Sequence, residues 1–199
     1  MKEYLLKQFN HFEFSDVNPG REINEALLIF CCWSISAFFF VVWANTYYPE
    51  NAFYQSAIRE GIGPNLWNAI GSFGFFAFGV AIIFSQYSLP SRIARQILIN
   101  TYAIGCLSFG LLLGQWWTLL VNPELIWWRR GLFGVTSGLL LAVIFLYNLA
   151  IWYLYYLLKN DSEKKSTFLE KLESMHVMWR FFIGLFFLIS ITILFFTTS

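Results

Sequence analysis

Five long stretches of this chain contain no charged residue: 26–49, 61–91, 96–123, 131–158 and 181–199. A bilayer core of about 30 Å takes roughly 20 apolar residues in helical form, and each stretch reaches or approaches that length. The sequence therefore predicts an all-α fold: a polytopic integral membrane bundle of five transmembrane helices, forming one membrane domain. The spans are expected at 23–45, 66–87, 92–120, 128–158 and 177–197, with residues 1–22 as an interfacial arm. In that arm Leu5, Phe9 and Phe12 recur at helical spacing with Lys7, Asn10 and Glu13 between them. This pattern predicts a short amphipathic helix lying on the membrane surface. Asn18 before Pro19 supplies a helix start for the first span.

Composition supports the same class. Charged residues make up 13% of the chain, against about 25% in soluble domains. The 23 Phe residues suit a thin bundle with much lipid contact. A net charge of +1 without any basic stripe argues against a nucleic-acid partner. The polar, mixed N-terminal segment lacks an apolar run followed by small residues, so the expectation is that the first span, not a cleaved signal peptide, directs insertion.

Punctuation between the spans is clear. Leu89-Pro90-Ser91 is expected to end the second span and turn the chain, and Asn122-Pro123-Glu124 makes the next turn. Residues 52–60 have the pattern of two helical turns lying flat on the bilayer. Thr167 and Glu170 match a capping box, after which apolar residues continue in helical phase into the fifth span.

Ten of the 13 Lys and Arg residues fall on one side of this map. They are Lys2, Lys7, Arg21, Arg92, Arg95, Lys159, Lys164, Lys165, Lys171 and Arg180. Arg59, Arg129 and Arg130 fall on the other. The positive-inside rule then places the N-terminus on the cytoplasmic side and the C-terminus opposite.

Small residues mark close helix approach where lipid offers no hydrophobic drive. Gly71 and Gly74 in the second span, Gly110 and Gly114 in the third, and Gly134 and Gly138 in the fourth predict that these three helices form the bundle centre. The rival use of the same glycines is room for a flat ligand such as a quinone or pigment, and the sequence leaves any cofactor unknown. Cys31, Cys32 and Cys106 read as small packing residues.

The deep parts of the spans hold no ionisable side chain, which argues against a proton-coupled transporter. Asn100, Gln115 and Asn148 are the larger deep polar residues. They read as interhelical glue or as the lining of a polar path. His11 and His176 are the two histidines, both peripheral, and no metal or catalytic set can be placed from sequence. The most unusual segment is Glu124-Leu125-Ile126-Trp127-Trp128-Arg129-Arg130. Two cations stand at the start of a helix, where the macrodipole disfavours them. Arg129, Arg130, Trp127, Trp128 and Glu124 are therefore candidates for contact with a lipid headgroup or a partner.

The functional expectation is a non-catalytic subunit or assembly component of a larger membrane complex, acting through lateral helix and lipid contacts. Its partners would be membrane lipids and other membrane subunits or copies of itself. The alternative is a small oligomeric channel or carrier with a polar path lined by the second, third and fourth spans. A lipid-modifying enzyme using the interfacial Arg and Glu residues is the remaining possibility.

Overall fold

The computed structural model describes residues 17–51, 54–56, 64–121, 126–159 and 166–197, with backbone only for 64–70 and 190–197. The surface helix expected at 4–14, most of the segment at 52–60, and Glu124 lie outside the described residues. Among the described residues the main helices are, in order, α1 (Glu22–Tyr47), α2 (Pro64–Ile83), α3 (Ser88–Val121), α4 (Trp127–Leu158), α5 (Thr167–Ser174) and α6 (Val177–Thr197). No strand occurs among the described residues. The protein is an all-α helical membrane bundle. Helices α1, α3 and α4 are long and apolar enough to cross a membrane, and the described parts of α2 and α6, Gly71–Ile83 and Val177–Ile189, are shorter apolar helices.

Helix ends show how the sequence is read locally. Asn18 accepts the Gly20 N–H on its side chain at 3.1 Å, and Gly20 takes a φ of +53°, so the chain turns before α1. Helix α2 stops at Ile83, four residues before the expected end. Residues 84–87 form the turn, with the Tyr87 N–H donating to the Phe84 carbonyl at 2.9 Å. Pro90 sits inside the first turn of α3, not between helices. A first-turn residue needs no N–H partner, so proline is tolerated there. The cap of α5 is Ser166, whose Oγ accepts the Leu169 N–H at 3.2 Å. With the cap one residue earlier than expected, Glu170 is not the third helical residue and no capping box forms. Helix α5 does not run on into α6: Met175 is extended, and His176 Nδ1 then accepts the Met178 N–H at 3.3 Å.

The chain divides into two compact units. One comprises Ile23–Trp67 and Tyr102–Ala150. Its α1 buries Ala26, Phe30, Ser34, Ala37, Val41 and Ala44, a stripe at three- and four-residue spacing. Facing it, α3 supplies Tyr102, Cys106, Gly110 and Gly114. A Cβ at Gly110 would collide with the Ser34 carbonyl oxygen, and one at Gly114 would stand 2.7 Å from Val41 Cβ. The two backbones therefore touch because glycine lets them. Ser34 Oγ donates to the Cys106 carbonyl at 2.9 Å, and the Tyr102 hydroxyl to the Ala26 carbonyl at 2.6 Å. Phe30 lies between Phe109 and Phe145, at 4.9 and 5.0 Å between ring centres, which ties α4 into this unit.

The other unit comprises Met1–Glu22, Asn68–Thr101 and Ile151–Ser199. Helices α2 and α6 cross at Gly79 and Gly184; a Cβ on either would come within 2.9 Å of the other's carbonyl oxygen. Phe78 packs on Phe187 and Phe168, and Gly74 opens room for Leu98 Cδ2, 3.3 Å from where its Cβ would be. The end of α4 is tied to the chain before α1 by Tyr153 and Tyr156, whose hydroxyls donate to the Val17 and Asn18 carbonyls at 2.9 Å each. Lys159 and Glu22 form an ion pair at 2.9 Å.

Candidate contact surface of α4

The described residues of the unusual segment open α4. Trp127 is 82% exposed and Trp128 and Arg129 are exposed as well, while Arg130 is half-buried. The Arg129 guanidinium carbon lies 5.3 Å from the Trp128 ring centre, a cation–π contact. This stacks the charge on an amphipathic ring and keeps it at the helix end. The neighbouring helix ends carry more aromatic surface. Asn45 on α1 donates to Thr118 Oγ1 on α3 at 3.2 Å, which brings Trp43, Tyr47 and Tyr48 to the same end as Trp116 and Trp117. Trp43 touches Tyr47 and Tyr48, with ring centres 6.2 and 5.3 Å apart. Tyr54 donates its hydroxyl to the Val41 carbonyl at 3.3 Å, and burial pushes its phenol above the ordinary value. Amphipathic rings of this kind suit a membrane–water boundary.

The N-terminal half of α4 is nearly bare, whereas Asn148, Ile151, Trp152, Leu154, Leu157 and Leu158 in its C-terminal half are buried. Of an apolar 18-residue stretch of α4 only 11% is buried, against 28% for the corresponding stretch of α1 and 44% for that of α3. Gly131 and Gly138 face open space, and Gly134 has one close neighbour, Leu120. Leu132, Val135, Thr136, Leu139, Leu140, Ala142 and Val143 are exposed around them.

The other predicted packing glycines take different partners. Gly71 is buried and Gly74 meets Leu98 on α3, but Gly110 and Gly114 dock on α1. The first span, left out of the expected bundle centre, is thus the partner of the third span's GxxxG pair. The reason lies on α1: Ser34, Ala37 and Val41 present a surface low enough for a backbone to approach.

The three residues of the expected polar path have different surroundings. Asn100 is exposed and accepts from Gln96 at 3.4 Å. Gln115 is half-buried. Asn148 is 1% exposed, and neither atom of its amide has a hydrogen-bond partner. Cys106 is buried as expected for a packing thiol, whereas Cys31 and Cys32 are exposed, because both fall off the buried stripe of α1. Among the described residues no three His, Cys, Asp or Glu side chains gather where a metal could be held.

Two features escaped sequence reasoning. The Gly79–Gly184 crossing involves two isolated glycines in different spans, without a GxxxG spacing to flag them. Arg180, counted above only among the charges that orient the chain, is buried in the first turn of α6.

Comparison with known proteins gives no relative: no family model, no curated protein and no solved structure matches the chain.

Proposed function

We propose that this protein is a non-catalytic subunit or assembly component of a larger integral membrane complex, working through lateral helix and lipid contacts. The observation that carries this reading is the bare face of α4. A helix facing only lipid has no use for a low surface, since lipid chains pack equally well against leucine. Gly131 and Gly138 with open space beside them, together with exposed Ala142 on the same helix face, make a surface on which another helix backbone can come close. Trp127, Trp128 and Arg129 at the end of that helix supply anchors for headgroups or for a partner's acidic side chain. The threading that fits this reading has five spans, with the N-terminus on the cytoplasmic side.

Purification in mild detergent followed by native mass spectrometry tests it. Other membrane proteins should co-purify in fixed ratio. Gly138→Leu should reduce their recovery without lowering the protein's own thermal stability, because no described residue fills that space. Replacing Arg129 and Arg130 with Gln should weaken assembly or lipid retention. A monomer without partners would refute the proposal.

The alternative, a small oligomeric channel or carrier with a polar path along α2–α4, draws on Asn148, whose unpaired amide is the sort of group that a polar path employs. It predicts a symmetric homo-oligomer in the same measurement.

A further inference from the structure

Arg180 is a charged side chain buried in an apolar bundle. It retains 7% of its surface. Its Nη1 donates to Ser85 Oγ at 3.0 Å, and Ser85 is itself 1% exposed. Its Nε is buried and has no hydrogen-bond partner. Among the described residues Arg180 makes no ion pair. One neutral hydroxyl does not offset the desolvation of a guanidinium. The helix field does not help from its own side either, because Arg180 stands in the first turn of α6, where the macrodipole is positive. The carbonyls at the C-terminal end of α2, just before Ser85, offset part of this. Along the chain, Arg92 and Arg95 follow the α2–α3 turn within the next turns of α3, and α5 carries Lys171 together with Glu170 and Glu173.

The bond to Ser85 also selects what remains. With Nη1 taken, the guanidinium keeps Nε and Nη2, the side-on pair whose parallel N–H bonds match two oxygens of one oxyanion. Arg180 stands at the start of α6 and Ser85 just past the end of α2, with the exposed Tyr87 two residues beyond Ser85 and the half-buried Trp179 next to Arg180 in sequence, an aromatic setting that suits the membrane–water boundary where phosphate is presented.

We propose that Arg180, held by Ser85 at the α2–α6 crossing, is a binding site for a phosphate oxyanion. The oxyanion would come from a phospholipid headgroup or from free phosphate. The proposal is independent of the α4 surface and of the assembly function.

The test uses the full chain, purified and stripped of lipid in detergent. Its thermal unfolding is followed while inorganic phosphate, phosphatidylglycerol in mixed micelles, or acetate is added. Saturable stabilisation by phosphatidylglycerol alone identifies the lipid as the source, and stabilisation by inorganic phosphate identifies the free ion. In either case Arg180→Lys, which keeps the charge but loses the fork, should weaken the apparent affinity about tenfold. Arg180→Gln should weaken it further, and Arg129→Gln should leave it unchanged. Should Arg180→Gln fail to fold, the Lys variant and the wild-type titrations still decide. The proposal is overturned if neither phosphate source stabilises the wild type, if acetate does so equally well, or if Arg180→Lys binds as tightly as the wild type.

Discussion

Replacing Gly110 with alanine should push α1 and α3 apart. The new Cβ would collide with the Ser34 carbonyl oxygen and lie 2.7 Å from Ser34 Cα and 2.8 Å from Ala37 Cβ. Ordinary carbon–carbon contact is about 3.5–4.0 Å, so the helices must separate by roughly 1 Å. None of the three atoms sits at the end of a flexible side chain that could swing aside. Overpacking of this kind costs about 1–3 kcal/mol. Separation also stretches the Ser34–Cys106 hydrogen bond, at 2.9 Å in the native bundle, and such bonds contribute about 0.6–1 kcal/mol in membrane proteins. The sum is about 2–4 kcal/mol, or roughly thirtyfold to several hundredfold in the unfolding equilibrium. Unfolding by sodium dodecyl sulfate in mixed micelles, followed by circular dichroism, measures it. Gly138→Ala is the internal control, since a Cβ there meets open space and should shift stability by no more than about 0.5 kcal/mol. If the two variants unfold at the same detergent fraction, the close α1–α3 contact is not what holds this unit together.

Three further outcomes follow from single interactions. Tyr102→Phe removes the hydroxyl bonded to the Ala26 carbonyl at 2.6 Å and should lower stability by about 1 kcal/mol in the same assay. Asn148→Leu replaces a buried amide without partners by an apolar group of similar size and should leave stability unchanged or raise it by about 1–2 kcal/mol; a clear loss would mean that the amide is bonded in the membrane. Glu22→Gln breaks an ion pair whose side chains are 37% and 36% exposed, and should cost less than about 1 kcal/mol, with the difference shrinking as salt is added.

The apolar helices were legible because a hydrocarbon solvent writes itself into composition over whole helices, and charge-free stretches need no pairing information to be seen; α1, α3 and α4 are long enough to cross a membrane, and the described parts of α2 and α6 are shorter apolar helices. What each span packs against was not legible. Gly110 and Gly114 announce a close approach, but the announcement is symmetric: any helix with a low face can answer it, and α1 does so with Ser34, Ala37 and Val41. Local turn chemistry was half readable. Pro90 lies close to a boundary, but the turn falls at 84–87 and first-turn tolerance for proline puts Pro90 inside α3. Ser166 and Thr167 are adjacent residues with the same capping ability, and only the backbone decides which one caps. Of the candidate site, Trp127, Trp128 and Arg129 could be picked out from the sequence and are exposed at the start of α4, whereas Arg130 is half-buried. The burial of Arg180 does not, because a cation next to a polar connection looks solvated until Ser85 and α2 are placed beside it.

The account rests on exposed faces of this bundle being lipid or partner surface instead of water surface. Cys31 and Cys32 are exposed on α1, and Cys31 lies about 13 Å along the helix from Glu22 at a rise of about 1.5 Å per residue. A charged, water-soluble maleimide added to intact membranes measures this directly, with mass spectrometry of the tryptic peptides as readout. The account predicts that neither thiol is modified until sodium dodecyl sulfate is added, after which Cys31, Cys32 and Cys106 all react. Modification of Cys31 or Cys32 in the intact membrane at the rate of a free thiol would contradict it.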